Sequence, residues 1–385
     1  MRSPANPHEI ADLLDWPLVS PIMLALVVGF GTAWTLASGP VAGSGRGVQP
    51  SMTATSEAVK EGYQSLIRDD GAATVELRKK WEKRLREAQL RITDAVAEVD
   101  GMPFKEDAWI REDGKGGGCT RVLAGGNVWE KAGVGLSVLY GSMPFENLKK
   151  SNTLGYKGDA DRTKGYKPGD RVPFFACGLS CVMHPRNPMA PTMHFNYRYF
   201  ETDSGLWWCG GGSDISPAYL IEEDVKHFHQ TYKDICDKYD PEWYPRFKTW
   251  ADEYFRIAHR GETRGLGGIY FDDLNDRPVE EIMEFQGECL DAILPAYLPT
   301  IQKRKDAEYT QKQKEWQQMR RGRYVEFNLV YDRGIIFGLK SGLGRVEAMM
   351  MTLPESARWE YNHQVEEGSM EYELLDACKN ARDWC

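Results

Sequence analysis

The chain has 385 residues, 42% hydrophobic and 27% charged, enough for a folded body with a real core. A net charge of −9 excludes a globally basic nucleic-acid surface, so an anionic ligand must be gripped by local arginines. The eight cysteines contain no CxxC pair, which excludes a zinc ribbon or thioredoxin motif, and they read as reduced, mostly structural thiols.

In chain order, the first feature is the run "LVSPIMLALVVGFGTAWTLA" (18–37), which carries no charge. It matches the length of about 20 apolar residues that crosses a bilayer as a helix. The preceding "MRSPANPHEIADLLD" has one Arg and several acids, a poor secretory or matrix leader. Residues 1–52 therefore read as a targeting or anchoring segment plus a Gly/Pro-rich linker, and 53–385 as the functional domain. Residues 74–99 predict a helix whose stripe is Trp81, Leu85, Ala88, Ile92 and Val96. "REDGKGGGC" (111–119) predicts a loop, and its glycines do not fit a phosphate cradle. Strand material follows at 127–141, with glycine breaks, then a polar loop at 155–171 and a buried strand at 172–184.

"MHFNYRYF" (193–200) predicts a strand with Phe195, Tyr197 and Tyr199 on one face and His194, Asn196 and Arg198 on the other. The glycines of "WWCGGGSDISPAYL" (207–220) suit a tight turn or a close approach of ligand to backbone. Helices are predicted at 222–239, with stripe Val225, His229, Tyr232 and Cys236, and at 241–259, with stripe Tyr244, Phe247, Ala251, Tyr254 and Ala258. A loop entering a short strand (260–274) and mostly helical, charged sequence (279–319) come next. Clean alternation predicts a strand at 322–334, placing Asp332 at a strand end; 335–354 reads as strand, glycine loop and a further apolar segment. Irregular mixing of strands and helices, without βαβ repeats, predicts an α+β fold with a mostly antiparallel sheet covered by helices.

His184, His194, His229 and His259 offer metal-binding chemistry, but no pair has the spacing of a ligand motif; His227 and His229 point to different faces of a helix. Arg198, Arg260, Arg264, Arg333 and Arg345 lie beside glycines or aromatics, which fits a site for a polyanionic, partly flat ligand. Asp214 in "GGGSD" and Asp332 in "YDRG" are the acids suited to meet ligand N–H groups.

Taken together, "HFNYRYFE", "WWCGGGSDISPAYL", "YPRFKTWADEYFRIAHRGETRGLGGIYFDDL", "RRGRYVEFNLVYDRG" and "LPESARWEYNH" resemble the oxygen-dependent coproporphyrinogen III oxidase family from about Asn127 to Trp384. The resemblance implies a large antiparallel sheet flanked by helices on both sides, in one catalytic domain that forms homodimers. It implies oxidative decarboxylation of the ring A and B propionates of coproporphyrinogen III to vinyl groups, consuming O2 and releasing CO2 and H2O2. Molecular oxygen is the co-substrate, with no flavin, haem or metal favoured. Residue by residue, it implies a proton donor at His194, catalytic roles for Asp214, Asp332 and Arg333, and substrate contacts at Ser180, Asn196, Tyr197, Arg198, Leu343, Gly344 and Arg345. On a regular strand Tyr197 and His194 face opposite ways, so a bulge is needed for both to touch one ligand. A divalent metal held by His184, His194, His229 and His259 is the minority reading. The alternatives are a metal-dependent oxygenase using those histidines and a membrane-tethered tetrapyrrole carrier without the chemistry. The expected compartment is the mitochondrial intermembrane space, with inner-membrane association through 18–37; plastid and cytosol are the alternatives. No nucleic-acid partner is expected.

Overall fold

The computed structural model describes residues 64–146, 148, 163, 165–341 and 345–385. The predicted anchor at 18–37 and its linker, most of the 155–171 loop, Leu343 and Gly344 lie outside these. Helix α1 (Val75–Asp100) carries the predicted stripe, with Trp81, Leu85, Ala88, Ile92 and Val96 all buried. It ends at Gly101, which adopts a left-handed φ of 83° and donates its N–H to Ala97 O, a conformation glycine reaches without Cβ strain. Buried Gln89 donates to the carbonyls of Cys119 and Val134, and the Trp81 indole donates to Cys177 O, so polar as well as apolar groups hold α1 on the sheet.

That sheet has seven antiparallel strands in the order β1-β2-β3-β4-β5-β6-β9. They are β1 (Lys105–Ile110), β2 (Gly116–Ala124), β3 (Trp129–Pro144), β4 (Arg171–Pro185), β5 (Thr192–Thr202), β6 (Trp207–Ser216) and β9 (Gly268–Leu274). Between β6 and β9 lie α2 (Glu222–Tyr239), α3 (Trp243–Tyr254) and a two-stranded ribbon of β7 (Arg256–Ile257) and β8 (Glu262–Thr263). The stripe of α2 is buried as predicted. Helix α3 stops at Tyr254, short of the predicted 259, leaving Ala258 exposed in a 3-10 turn. After β9 come α4 (Val279–Asp291), α5 (Ile293–Arg304), α6 (Gln311–Val330), α7 (Arg333–Ser341), α8 (Val346–Met350) and α9 (Met370–Lys379).

Two predictions about glycine are overturned. Gly116, Gly117 and Gly118 lie inside β2, not in a loop. A Cβ on Gly118 would stand 2.2 Å from Leu136 O and 2.6 Å from the Trp109 ring, so glycine there admits the indole against the strand. Gly133 and Gly135 do not break β3; Met351 packs over both.

The predicted strand at 322–334 is instead the C-terminal part of α6 and the start of α7, and the strand predicted from 335 is the rest of α7; the predicted glycine loop at 342–344 lies outside the described residues, and the apolar segment after it begins as α8. A capping box at Thr310, with Gln313 N–H donating to Thr310 Oγ1 and Thr310 N–H to Gln313 Oε1, starts α6 well upstream. Helix propagation then carries it through the short alternating run. Burial follows the helical period: Trp316, Arg320, Tyr324 and Phe327 are buried, while Leu329 and Val330 are exposed.

The sheet's two faces differ in chemistry. One carries Val134, Leu136, Leu179, Cys181, Phe195, Tyr197 and Tyr199, all buried in the main core beneath α1 and α4. On the other, cross-strand pairing sets Gly135, Ser180, Asn196 and Gly212 in one row, and Gly133, Val182, His194 and Asp214 in the next. Helices α6 to α8 cover this glycine-paved face, so helices flank the sheet on both sides.

Candidate active site

A cavity of about 260 Å³ lies between the glycine-paved face and helices α6 to α8. Its floor includes Gly135, Ser137, Ser180, His194 and Asn196, and its roof includes Asn328, Asp332, Arg345, Met349 and Met351. Small residues at the paired positions give a flat ligand room to approach the backbone. Five residues named from the sequence are thus gathered in one place: Ser180, His194, Asn196, Asp332 and Arg345.

The most ordered part of the site stands behind His194. His194 and Asp214 are directly paired across β5 and β6, and His194 Nδ1 lies 2.6 Å from Asp214 Oδ1. Arg264, from the loop after β8, donates through Nη2 to Asp214 Oδ1 at 2.9 Å and Oδ2 at 3.0 Å. Burial alone would raise the Asp214 pKa, but Arg264 and then His194 outweigh it and hold the carboxyl below its ordinary value. An ionised carboxylate only accepts, so the shared hydrogen belongs to His194 Nδ1, and Nε2 remains for a ligand. Arg264 is itself fixed by Asn328 Oδ1 at 3.2 Å and sits over the rings of Phe255, Tyr324 and Phe327 at 4.2, 4.5 and 4.8 Å. Asn328 in turn donates to Thr352 Oγ1 at 3.1 Å.

This arrangement revises several sequence expectations. Asp214 is 1% exposed and committed to Arg264 and His194; it stands behind the histidine and does not line the cavity. Tyr197 lies on the opposite, core face of an unbulged β5, its hydroxyl 2.7 Å from Ser213 Oγ, so it does not meet a ligand shared with His194. Asp332 sits at the junction of two helices, where Oδ1 accepts the Ile335 N–H at 2.8 Å. Arg333 is exposed, its guanidinium 5.5 Å from the Tyr254 ring centre. Arg198 shares the face with His194, but its guanidinium turns to Asp272 at 2.8 Å and Asn196 Oδ1 at 3.3 Å. Arg345 pairs with Asp107 at 2.6 Å. Arg260 is bound to Glu326 outside the cavity, and Arg264 is buried in the network above rather than free to grip a ligand.

The four histidines are not brought together. His184 is buried between Thr352 O at 2.9 Å and Thr192 Oγ1 at 3.3 Å, and burial pushes its pKa well down. His229 lies between Tyr244 OH and Leu266 O, its pKa lowered by burial to about 3. His259 lies between Tyr331 OH and Glu326. Among the described residues no three His, Cys, Asp or Glu side chains are grouped to hold a metal ion. With both ring nitrogens of three histidines already engaged, the donor set does not fit a four-histidine metal centre, and no step is derived through one.

The sequence pattern points to Asp332 and Arg345 of the roof but not to Asn328, Tyr324, Thr352 or Trp109, which also line the cavity. The i, i+4 spacing of Tyr324 and Asn328 was the available signal for a shared helical face.

The family model described as coproporphyrinogen III oxidase matches residues 80–384. The chain is 54% identical over 325 residues to the "Oxygen-dependent coproporphyrinogen-III oxidase, chloroplastic" of Glycine max, covering 82% of each chain. It is 48% identical over 323 residues to the mitochondrial protein of that name from Rattus norvegicus, covering 83% of this chain and 71% of the other. With the Drosophila melanogaster protein the identity is 49% over 288 residues, 74% of this chain and 72% of that one. The strands and helices that build the cavity lie within the matched region, and the chain belongs to the coproporphyrinogen III oxidase family.

Proposed function

We propose that this chain catalyses the oxidative decarboxylation of the ring A and B propionates of coproporphyrinogen III, giving protoporphyrinogen IX. The observation that carries the reading is the cavity uniting Ser180, His194, Asn196, Asp332 and Arg345 over a glycine-paved sheet, in a member of this family. Each propionate, with one O2 and one proton, gives a vinyl group, CO2 and H2O2. The two electrons of the departing hydride equivalent reduce the oxygen. Removing a pyrrole proton makes the macrocycle electron-rich enough to react with O2 directly. His194 Nε2, oriented by Asp214, is placed to take or return that proton. Arg345 and Arg198 stand at the cavity and beside it, each paired with an aspartate that a substrate carboxylate can replace. Arg333 is the third propionate-binding candidate, and Ser180 and Asn196 hydrogen-bond the substrate.

Oxygen serves as the only co-substrate in this reading, with no resident metal, flavin or haem. The active form is a homodimer. The compartment is an organelle: relatives named mitochondrial and relatives named chloroplastic both align over most of this chain. The intermembrane space with membrane attachment through 18–37 is the finer reading from the apolar run. A plastid is the second reading, favoured by identities of 52–56% to four plant proteins against 48–49% to the animal ones.

The test is an aerobic assay of the full chain with coproporphyrinogen III, with and without a strong chelator, reading protoporphyrin fluorescence after oxidation of the product. Undiminished product in chelator is expected. Product lost in chelator and restored by one metal would overturn the metal-free reading. Tight binding without turnover would overturn the enzymatic one and favour a carrier.

A further inference from the structure

A second, smaller cavity of about 10 Å³ is lined by Thr192, Ser216, Arg264, Arg320, Arg321 and Tyr324, among others. Three arginines meet here inside the protein: Arg264, Arg320 and Arg321 are 1%, 6% and 3% exposed. Each is held by a carboxylate at its Nη end. Arg264 pairs with Asp214, Arg320 with Glu262 at 2.7 Å, and Arg321 with Glu130. The Nε atoms of all three are buried and have no partner in the protein, and neither has Ser216 Oγ or Tyr324 OH. Five unsatisfied polar atoms thus belong to residues lining one small space.

Their chemistry is one-sided. A guanidinium Nε–H only donates, and a hydroxyl is free to turn its hydrogen inward. The unpartnered atoms therefore offer up to five donors, of which the three Nε–H groups can only donate. A single water accepts two such bonds and leaves at least one of the three Nε–H groups without a partner, whereas a halide accepts from every side. The volume admits one small particle, about one water's worth of space. The carboxylates neutralise the Nη ends and leave the Nε edges positive.

We propose that this cavity binds one small monovalent anion of the halide class, held by the Nε–H groups of Arg264, Arg320 and Arg321 with Ser216 and Tyr324 completing the shell. The small cavity adjoins the substrate cavity, sharing Tyr324 with it and Arg264 with the Asp214–His194 pair, but the proposal does not depend on the activity proposed above. It ties three elements together: the loop after β8 through Arg264, α6 through Arg320, Arg321 and Tyr324, and the end of β6 through Ser216.

The first test is crystallographic, on the full chain grown or soaked in sodium bromide. An anomalous bromine peak within hydrogen-bonding reach of the three Nε atoms is expected. Water density there with no anomalous signal overturns the proposal. The second is thermal unfolding at constant ionic strength as sodium gluconate is replaced by sodium chloride. A saturable rise in Tm is expected for the native chain, with the midpoint moved several-fold to higher chloride in Ser216→Ala. Identical melting in both salts overturns the proposal, as does a chloride response that Ser216→Ala leaves unchanged.

Discussion

Replacing Asp214 by Asn keeps the shape of the side chain and removes its charge. In the native chain that carboxylate takes two bonds from Arg264, at 2.9 and 3.0 Å, and one from His194 at 2.6 Å, with both Asp214 and Arg264 1% exposed. Removing one partner of such a pair strands a buried guanidinium and costs on the order of 3–5 kcal/mol. Stacking of Arg264 on three rings places the expected loss toward the lower end of that range. The second effect is on the histidine. An amide no longer fixes the hydrogen on Nδ1, and in the best-studied constellation of this kind the loss of tautomer control lowers kcat by about 10⁴. Because Asp214 does not line the cavity, KM should change little. Steady-state kinetics by protoporphyrin fluorescence and denaturant unfolding measure the two effects separately. A large rise in KM at unchanged kcat would refute the reasoning and place the carboxylate on the substrate. Unchanged stability would refute the buried pair. The pH dependence follows the same logic. The folded pKa of Asp214 is depressed, so its stabilisation is complete above the ordinary carboxylate range near 4 and is lost as pH falls through the folded value. Asp214→Asn should lack that acid limb.

Arg198→Ala should raise KM about 10- to 150-fold, the equivalent of one charge-assisted hydrogen bond to a carboxylate, with a smaller effect on kcat; an unchanged KM removes Arg198 from substrate binding. Tyr197→Phe loses the bond to Ser213 Oγ and should cost about 1 kcal/mol of stability with native kinetics, whereas altered KM would return Tyr197 to the site. Glu326 has its pKa lowered to about 2, burial being outweighed by Arg260, His259 and Arg323. Its contribution to stability is therefore full above the ordinary glutamate value of 4.5 and disappears as pH falls toward 2. Glu326→Gln should flatten stability across that window, and an acid titration that leaves native and variant parallel would remove the cluster from the account.

The two opposite faces of β5 were legible because side chains on a strand alternate strictly, so Phe195, Tyr197 and Tyr199 had to part from His194, Asn196 and Arg198. The stripe of α1 was legible for the corresponding reason at the helical period. The same strict alternation already argued against Tyr197 as a partner of His194, and the unbulged ladder agrees with it rather than with the residue's carried-over role. The 322–334 segment misled because a short apolar run satisfies both periods, and its helical state was decided upstream at the Thr310 cap.

The sequence by itself determined the antiparallel sheet with covering helices, the membership of the family and five of the residues around the cavity, because periodicity and long motifs are local properties of the chain. Only the tertiary structure decided which charges face a ligand. Arg264, Asp214 and His194 come from three separate segments, and their roles follow from burial and from which partner each finds first. An arginine in a glycine-rich loop looks alike in sequence whether it is locked to Glu326, as Arg260 is, or set at the cavity, as Arg345 is. Partner choice of this kind depends on distances across the fold, which no local pattern encodes.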